Sequence, residues 1–125
     1  MNSDLKITSE IMQANVPVMV FTIRGWLDGQ SEEQLLEAAR AAYNEGARFL
    51  LINMSDLDTI TSAGIRALQK LYQMYTPKED RFKIAHLKLC NAPPQIYNVL
   101  GITGFLQNIP MHENLNEALN SFGND

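Results

Sequence analysis

Residues 49–68 have the sequence FLLINMSDLDTITSAGIRAL, and this stretch decides the fold. Its first part is a continuous apolar run of strand length, which predicts a buried strand over residues 48–54. The polar segment from Ser55 to Ile60 has the composition of a turn, and the residues after it have the period of a helix, 62–75. The apolar stripe predicted for that helix consists of Ile65, Leu68, Leu71, Tyr72 and Tyr75. The pattern therefore predicts a strand-loop-helix unit.

The start of this helix is the candidate site. Thr59, Thr61 and Ser62 cluster there, so a hydroxyl is predicted to cap backbone N–H groups at the positive end of the helix dipole. A phosphate is favoured in the same place. Gly64 costs about 1 kcal/mol in a helix relative to Ala. Its presence indicates either close approach by another backbone or a tight strand-to-helix turn.

Composition limits the classes of function. The chain has 125 residues, of which 46% are hydrophobic and 19% charged, which fits a single domain, 1–125, with an ordinary core. A formal charge of -4 argues against broad binding to nucleic acid or to an anionic membrane. No apolar run approaches a bilayer span, and residues 1–4 do not resemble a signal peptide. The expected compartment is the cytosol.

The side chains that bind metals or perform catalysis are sparse. Cys90 is the only cysteine, and on a strand His86 would lie roughly 13 Å from it. Asp56 and Asp58 supply too few oxygens for a Mg²⁺ or Ca²⁺ site and are explained by turn formation. His112 lies in a late loop, so no Cys-His nucleophile is predicted. We therefore expect no metal, no cofactor and no enzymatic activity.

The rest of the chain supplies a hairpin followed by alternating helices and strands. Residues 5–13 predict a half-buried or edge strand, paired with a second strand over Val18–Ile23. Ser31 and Gln34 have the spacing of a capping box, which predicts a helix over 31–45. Later predicted elements are a strand near a sheet edge, Arg81–Leu89, a helix, Pro94–Leu100, a strand, Phe105–Ile109, and a helix, Asn114–Phe122. These elements predict an α/β fold with a mixed sheet of four to five strands and about four helices mainly on one face.

The central pattern N-x-S-x-L-x-x-I, a hydroxyl-rich turn, G-I and a helix resembles the STAS family, the domain of anti-sigma factor antagonists and of the cytoplasmic tails of sulfate transporters. The resemblance covers nearly the whole chain. The GWLD segment at residues 25–28 is similar to the family's G-x-L-D. Residues 99–109 are similar to its V-L-x-x-x-G-L-x-x-x-F, with Phe105 and Ile109 as apolar substitutes.

The most specific signature of the family is D-S-S-G at the start of the second helix, where a partner kinase that is also the anti-sigma factor phosphorylates the first Ser. In this chain the four positions are Thr61, Ser62, Ala63 and Gly64, so two of them match. The resemblance implies that Ser62 is a candidate for phosphorylation, and Thr61 is itself a candidate acceptor. An unmodified N-cap remains the other interpretation of Ser62.

Phosphorylation has a direct electrostatic consequence. It would add about -1.5 to -2 charges at a helix N-terminus, where the dipole tolerates them. A partner packed on that spot would meet repulsion and desolvation, and a penalty of roughly 1.4 to 2.8 kcal/mol lowers affinity roughly 10- to 100-fold. The resemblance thus implies a non-catalytic protein that binds an anti-sigma factor/serine kinase, with ATP belonging to the kinase.

The predicted contact surface surrounds the start of the second helix. Asp28 either contacts the partner or caps a turn, and Trp26 is either a lid on the core or an interface anchor. The departures from D-S-S-G leave open a phosphorylation-independent interaction or ligand-sensing module in a transporter or stressosome-like assembly. A weak homodimer also stays open. The predicted contact residues are Trp26, Asp28, Asp58, Thr61, Ser62, Ala63, Gly64 and Arg66.

Overall fold

The computed structural model describes residues 4–124, so Met1–Ser3 and Asp125 of the predicted domain, 1–125, lie outside the described residues. The strands are β1 Lys6–Gln13, β2 Pro17–Leu27, β3 Leu50–Ile60, β4 Leu87–Cys90 and β5 Met111–His112. The helices are α1 Glu32–Asn44, α2 Ser62–Tyr75, α3 Pro94–Ile102 and α4 Leu115–Ser121, with 3₁₀ turns at Lys78–Asp80 and Phe105–Gln107.

The five strands form one mixed sheet in the order β1-β2-β3-β4-β5. β1 pairs antiparallel with β2, as the hairpin prediction requires, and the later neighbours are parallel. Side chains of α1, α2 and α3 pack against one face of the sheet. α4 covers the other face, where Leu119 and Phe122 meet Val18, Val20 and Leu51. The predicted α/β class, with most helices on one face, is confirmed.

The two central strands are longer than predicted. The segment 55–60, predicted as a turn, continues β3, and β2 extends to Leu27, beyond its predicted end at Ile23. The two strands stay paired as far as Leu27 and Ile60, across two register shifts. Leu27, Leu57 and Ile60 bury their side chains in the core, and this burial outweighs the polar composition of the segment. α2 therefore begins directly at the end of β3.

The strand predicted over Arg81–Leu89 is wrong in its first half. Residues 81–84 form a turn after the 3₁₀ segment, in which the N–H groups of Lys83 and Ile84 donate to the carbonyl of Asp80. Phe82 has a φ of 68° and is exposed. This apolar residue contributed to the alternating pattern that predicted a strand, although its side chain is not buried. β4 occupies only residues 87–90, all of them buried, beside the short edge strand β5.

The strand predicted over Phe105–Ile109 is also wrong. Gly104, with a φ of 75°, ends the α3 region, and Phe105–Gln107 is a 3₁₀ turn. Phe105 and Ile109 are both buried, at a spacing of four residues that fits one face of a strand as well as one helical turn, so their burial did not distinguish the two. The edge strand follows instead at residues 111–112, just after Pro110 accepts a hydrogen bond from Leu89 N.

Candidate functional site

The N-cap residue of α2 is Thr61, not Ser62. Thr61 has extended backbone angles, and its Oγ1 accepts a hydrogen bond from Gly64 N at 3.4 Å. The interpretation of Ser62 as the N-cap is therefore wrong, although the prediction that a hydroxyl caps this helix is confirmed. Ser62 is the first residue of α2 and is exposed, and its hydroxyl has no hydrogen-bond partner among residues 4–124.

Gly64 lets the first turn of α2 lie against the end of β2. A Cβ at this position would collide with the carbonyl oxygen of Leu27 and would lie 2.9 Å from Ile60 Cγ1. The same Leu27 oxygen accepts a hydrogen bond from Thr61 N at 3.1 Å. Of the two explanations that the sequence left open, close approach by another backbone is the one that the structure supports.

The loop after β2 is fixed by Asp28. Its Oδ1 accepts hydrogen bonds from the backbone N–H groups of Gln30 and Ser31, both at 3.1 Å. Ser31 Oγ donates to the carbonyl of Trp26 at 2.8 Å and accepts from Asp28 N at 3.0 Å. The carboxylate therefore shapes the loop, as the turn-capping interpretation of Asp28 requires.

Ser31 was assigned the wrong partners by sequence reasoning. It is buried and makes no side-chain cap bond, and the Gln34 side chain donates to the carbonyl of Leu5 at 2.9 Å instead of closing a capping box. The predicted capping box is therefore wrong. An Asp three residues before a Ser was the available signal, since Asp side chains bond to backbone groups two or three residues further on.

Two of the predicted segments form one surface. A Cβ built on Gly29 would lie 3.8 Å from the Cβ of Ala63, so the Asp28 loop and the first turn of α2 are in contact range. We call the surface formed by Asp28, Gly29, Thr61, Ser62 and Ala63 the Ser62 surface. It consists mainly of small side chains, with the Ser62 hydroxyl exposed upon it.

Trp26 and Asp58 lie in the strands that lead to this surface. Trp26 pairs with Thr59 in the sheet and is half-buried, and its Nε1 is enclosed without a hydrogen-bond partner in the described part of the chain. Asp58 is exposed at a register shift of β3, where its Oδ1 accepts from Thr59 Oγ1 at 3.3 Å. No hydrogen bond or ion pair within residues 4–124 joins either side chain to Ser62.

Arg66 lies one helical turn after Ser62 and forms part of an ion-pair cluster. Its Nε is 3.7 Å from Glu32 Oε2, and Lys70 Nζ is 3.2 Å from the same oxygen. Glu32 is at the start of α1, so the two cations connect α1 to α2. Both remain about half exposed.

The other reactive side chains are separate from the Ser62 surface. Cys90 is fully buried, and burial raises the pKa of its thiol to about 11. His86 Nε2 is 3.1 Å from Asp80 Oδ2, and its ring stacks on Phe49. Within residues 4–124, no group of three or more His, Cys, Asp and Glu side chains is placed to hold a metal ion. None of the helices in that range has the length and apolar content to cross a membrane.

Fold and site together define a class of protein: a small α/β domain with an exposed hydroxyl at the start of its second helix. More specifically, the chain belongs to the STAS domain family, whose model matches residues 10–118. The resemblance inferred from the motifs is therefore confirmed.

Three comparisons illustrate the relationship. The chain is 27% identical over 105 residues to a candidate anti-sigma factor antagonist of Bordetella bronchiseptica, covering 84% of this chain and 86% of that protein. It is 31% identical over 101 residues to sulfate transporter 1.3 of Arabidopsis thaliana, covering 81% of this chain but only 14% of the transporter. The crystal structure of an anti-sigma factor antagonist from Mycobacterium paratuberculosis superimposes with a TM-score of 0.80 at 20% identity, covering 97% of this chain and 96% of that one.

Proposed function

We propose that this protein is an anti-sigma factor antagonist-like signalling protein that binds an anti-sigma factor/serine kinase through the Ser62 surface. Binding is switched by phosphorylation of Ser62. The observation that carries the proposal is that the Ser62 hydroxyl is exposed at the start of α2 and takes no part in capping the helix. The protein itself is non-catalytic, needs no cofactor and acts in the cytoplasm, and the kinase supplies ATP.

The switch is feasible because Thr61 caps the helix and Ser62 carries the phosphate. Because Thr61 caps the helix, a phosphate on Ser62 leaves the cap in place. The unpaired N–H groups of the first turn and the helix dipole accommodate the added charge of about -1.5 to -2. The folded domain is therefore little changed, and the phosphate mainly weakens the binding of the partner.

Ser62 is a better acceptor than Thr61 for the same reason. The Thr61 oxygen already accepts a bond from Gly64 N, and its residue is only partly exposed. Modification of Thr61 would disturb a cap worth about 1 kcal/mol. A kinase that approaches this surface meets the Ser62 hydroxyl without having to break an existing interaction. Thr61 is the secondary candidate.

The shape of the Ser62 surface favours close docking. Gly29 and Ala63 present little side-chain bulk beside Ser62, so a partner backbone can approach the modified oxygen closely. Asp28 holds the loop in position through its Oδ1 hydrogen bonds. We propose that Trp26, Asp58, Gly64 and Arg66 flank this contact area and that their substitution weakens partner binding less than a charge at Ser62 does.

The test incubates the protein with an anti-sigma factor/serine kinase from the same organism and ATP, and then measures the intact mass. Wild type is expected to gain one phosphate, Ser62→Ala none, and Thr61→Ser one. In a binding assay, Ser62→Asp is expected to weaken the complex by about 10- to 100-fold, whereas Ser62→Ala binds like wild type. Absence of phosphate on wild type, together with equal binding of Ser62→Asp and wild type, contradicts the proposal.

The second candidate function is a phosphorylation-independent interaction or ligand-sensing module in a transporter or stressosome-like assembly. It is favoured by Thr61, which stands where the family signature has Asp and whose hydroxyl serves as the helix cap. The match to a short part of a sulfate transporter is in keeping with such a role. This function predicts an assembly whose mass, measured by light scattering, is the same for wild type and Ser62→Asp.

A further inference from the structure

The outer edge of β1 is an open sheet edge with no protective irregularity. Among residues 4–124, β1 is at one end of the sheet and pairs only with β2, in an unbroken register from Lys6 opposite Arg24 to Gln13 opposite Pro17. The strand contains neither proline nor a bulge. Its outward N–H and C=O groups therefore form a regular template on which another strand can add.

The two faces of β1 carry different side chains. Met12 packs with the residues under α4, which places Lys6, Thr8 and Glu10 on that face of the sheet, because side chains alternate along a strand. Ile7 packs with the opposite cluster and shares its face with Ser9 and Ile11. Ile11 is 68% exposed although it is apolar, so this face of the edge strand has uncovered hydrophobic surface.

We propose that a second copy of this chain adds its β1 antiparallel to the first, with the two-fold axis at Thr8. Five strands from each copy then form one continuous sheet. In this register Lys6 of each copy lies opposite Glu10 of the other, and Thr8 lies opposite Thr8. Opposite charges and Thr–Thr pairs are among the stabilising cross-strand neighbours. Ile11 of each copy lies beside the added strand, opposite the backbone of Leu5, and this strand covers part of its exposed apolar surface.

Charge selects this register over its neighbours. An axis at Ile7 places Glu10 opposite Asp4, and an axis at Glu10 places two Glu10 side chains opposite each other, so both bring like charges together. An axis at Lys6 does the same with two lysines. An axis at Ser9 places Lys6 opposite Met12 and forms no ion pair. Of the axes centred on a residue of β1, only the one at Thr8 produces two opposite-charge pairs.

This dimer leaves the Ser62 surface accessible. β1 pairs with β2 only as far as Arg24, whereas the Ser62 surface begins beyond the end of β2 at Leu27. Each dimer would present two Ser62 surfaces, on opposite edges of the extended sheet, at the carboxyl ends of β2 and β3 of each copy. The dimer does not depend on phosphorylation, and its failure would leave the proposed switch untouched.

Disulfide trapping tests the position of the axis. In the proposed register, Thr8→Cys brings two thiols to directly opposite positions, with Cβ atoms about 4.5–5.5 Å apart, close to disulfide geometry. Mild oxidation is expected to give a covalent dimer. Ser9→Cys is the matched control, because its two thiols lie on diagonal positions about 7–8 Å apart. Wild type supplies the background, since Cys90 is fully buried.

Charge reversal tests whether the strand that pairs with β1 is β1 of a second copy. Lys6→Glu and Glu10→Lys are each expected to raise the dimer dissociation constant, measured by sedimentation, on the order of tenfold, because each change places like charges opposite each other twice. The double variant Lys6→Glu/Glu10→Lys is expected to restore wild-type dimerisation. Circular dichroism of the single variants checks that the exposed substitutions leave the fold intact.

Three outcomes overturn the proposal. They are a wild type that stays monomeric at every concentration, equal trapping of Thr8→Cys and Ser9→Cys, and a double variant that fails to recover. If β1 instead receives a strand of another protein, the wild type is monomeric alone, and the first outcome applies.

Discussion

At Gly64 the absence of a side chain decides how closely α2 approaches β2. The residue is buried, its φ is outside the left-handed region, and the space a Cβ would need is occupied by the Leu27 carbonyl. The glycine is required for close approach and not for an unusual backbone conformation.

Gly64→Ala is therefore expected to destabilise the protein. A gain of about 1 kcal/mol in helix propensity is outweighed by about 1–3 kcal/mol of overpacking against backbone atoms. Gly101→Ala in α3 is the matched control, because nothing lies within 4 Å of the Cβ it would add. Urea unfolding of both variants measures the difference. Equal stabilisation by the two alanines would contradict the close-approach explanation.

Single residues also show where sequence reasoning reached its limit. The D-S-S-G-like segment indicated the candidate site, because its hydroxyls and glycine stand together in the chain. The neighbours that complete the site could not be inferred in the same way. Ser31 bonds to a main-chain carbonyl, that of Trp26, and carbonyl positions depend on where β2 ends. Sequence alone placed that end too early.

At the scale of elements, the start of α2 places the hydroxyl of Thr61, which caps the helix, next to the exposed hydroxyl of Ser62. Helix boundaries were predicted well here, because the apolar stripe repeats over several turns and a hydroxyl precedes it. Segments 81–84 and 105–109 were assigned wrongly because short apolar alternation occurs in turns as well as in strands. Phe82 is exposed, and Phe105 is buried from a 3₁₀ turn.

Thr61→Ala is expected to lower the free energy of unfolding by about 1 kcal/mol, because it removes the hydroxyl that caps Gly64 N. Ser62→Ala is expected to change it by no more than about 0.5 kcal/mol, since its hydroxyl has no partner in the described chain. Thr61→Ser keeps the capping oxygen and is the control. A larger loss for Ser62→Ala than for Thr61→Ala, measured by urea unfolding, would reverse the assignment of the two residues.

At the scale of the whole molecule, the sheet separates two apolar layers, and each layer buries a neutral side chain whose pKa is raised by that burial. Cys90 lies beneath α4, and Tyr75 lies on the other face, where its hydroxyl donates to the carbonyl of Ala39 at 2.6 Å. The α/β class follows from a pattern of strands alternating with helices. The side of the sheet on which the short helix α4 packs does not, because its few apolar residues suit either face.

These two groups make the folded state sensitive to alkali. Burial raises the pKa of Cys90 from 9.0 to about 11 and that of Tyr75 from 10.0 to about 12. Each group stays neutral in the folded protein at a pH where it ionises in the unfolded chain. The contribution of these two groups to the free energy of unfolding is therefore fully present below about pH 9. It declines as the pH rises towards about 12, by up to about 2–3 kcal/mol for each group.

Urea unfolding across this alkaline range measures the decline. Cys90→Ala removes one of the two titrations, so its free energy of unfolding should fall less steeply with pH than that of wild type, whatever constant loss its smaller side chain causes. Tyr75→Phe should have a similar effect about one pH unit higher, because Tyr75 ionises about one pH unit above Cys90 in both the unfolded and the folded chain. If both variants lose stability with the same pH dependence as wild type, the alkaline sensitivity arises from other groups and the two layers do not hold these side chains neutral.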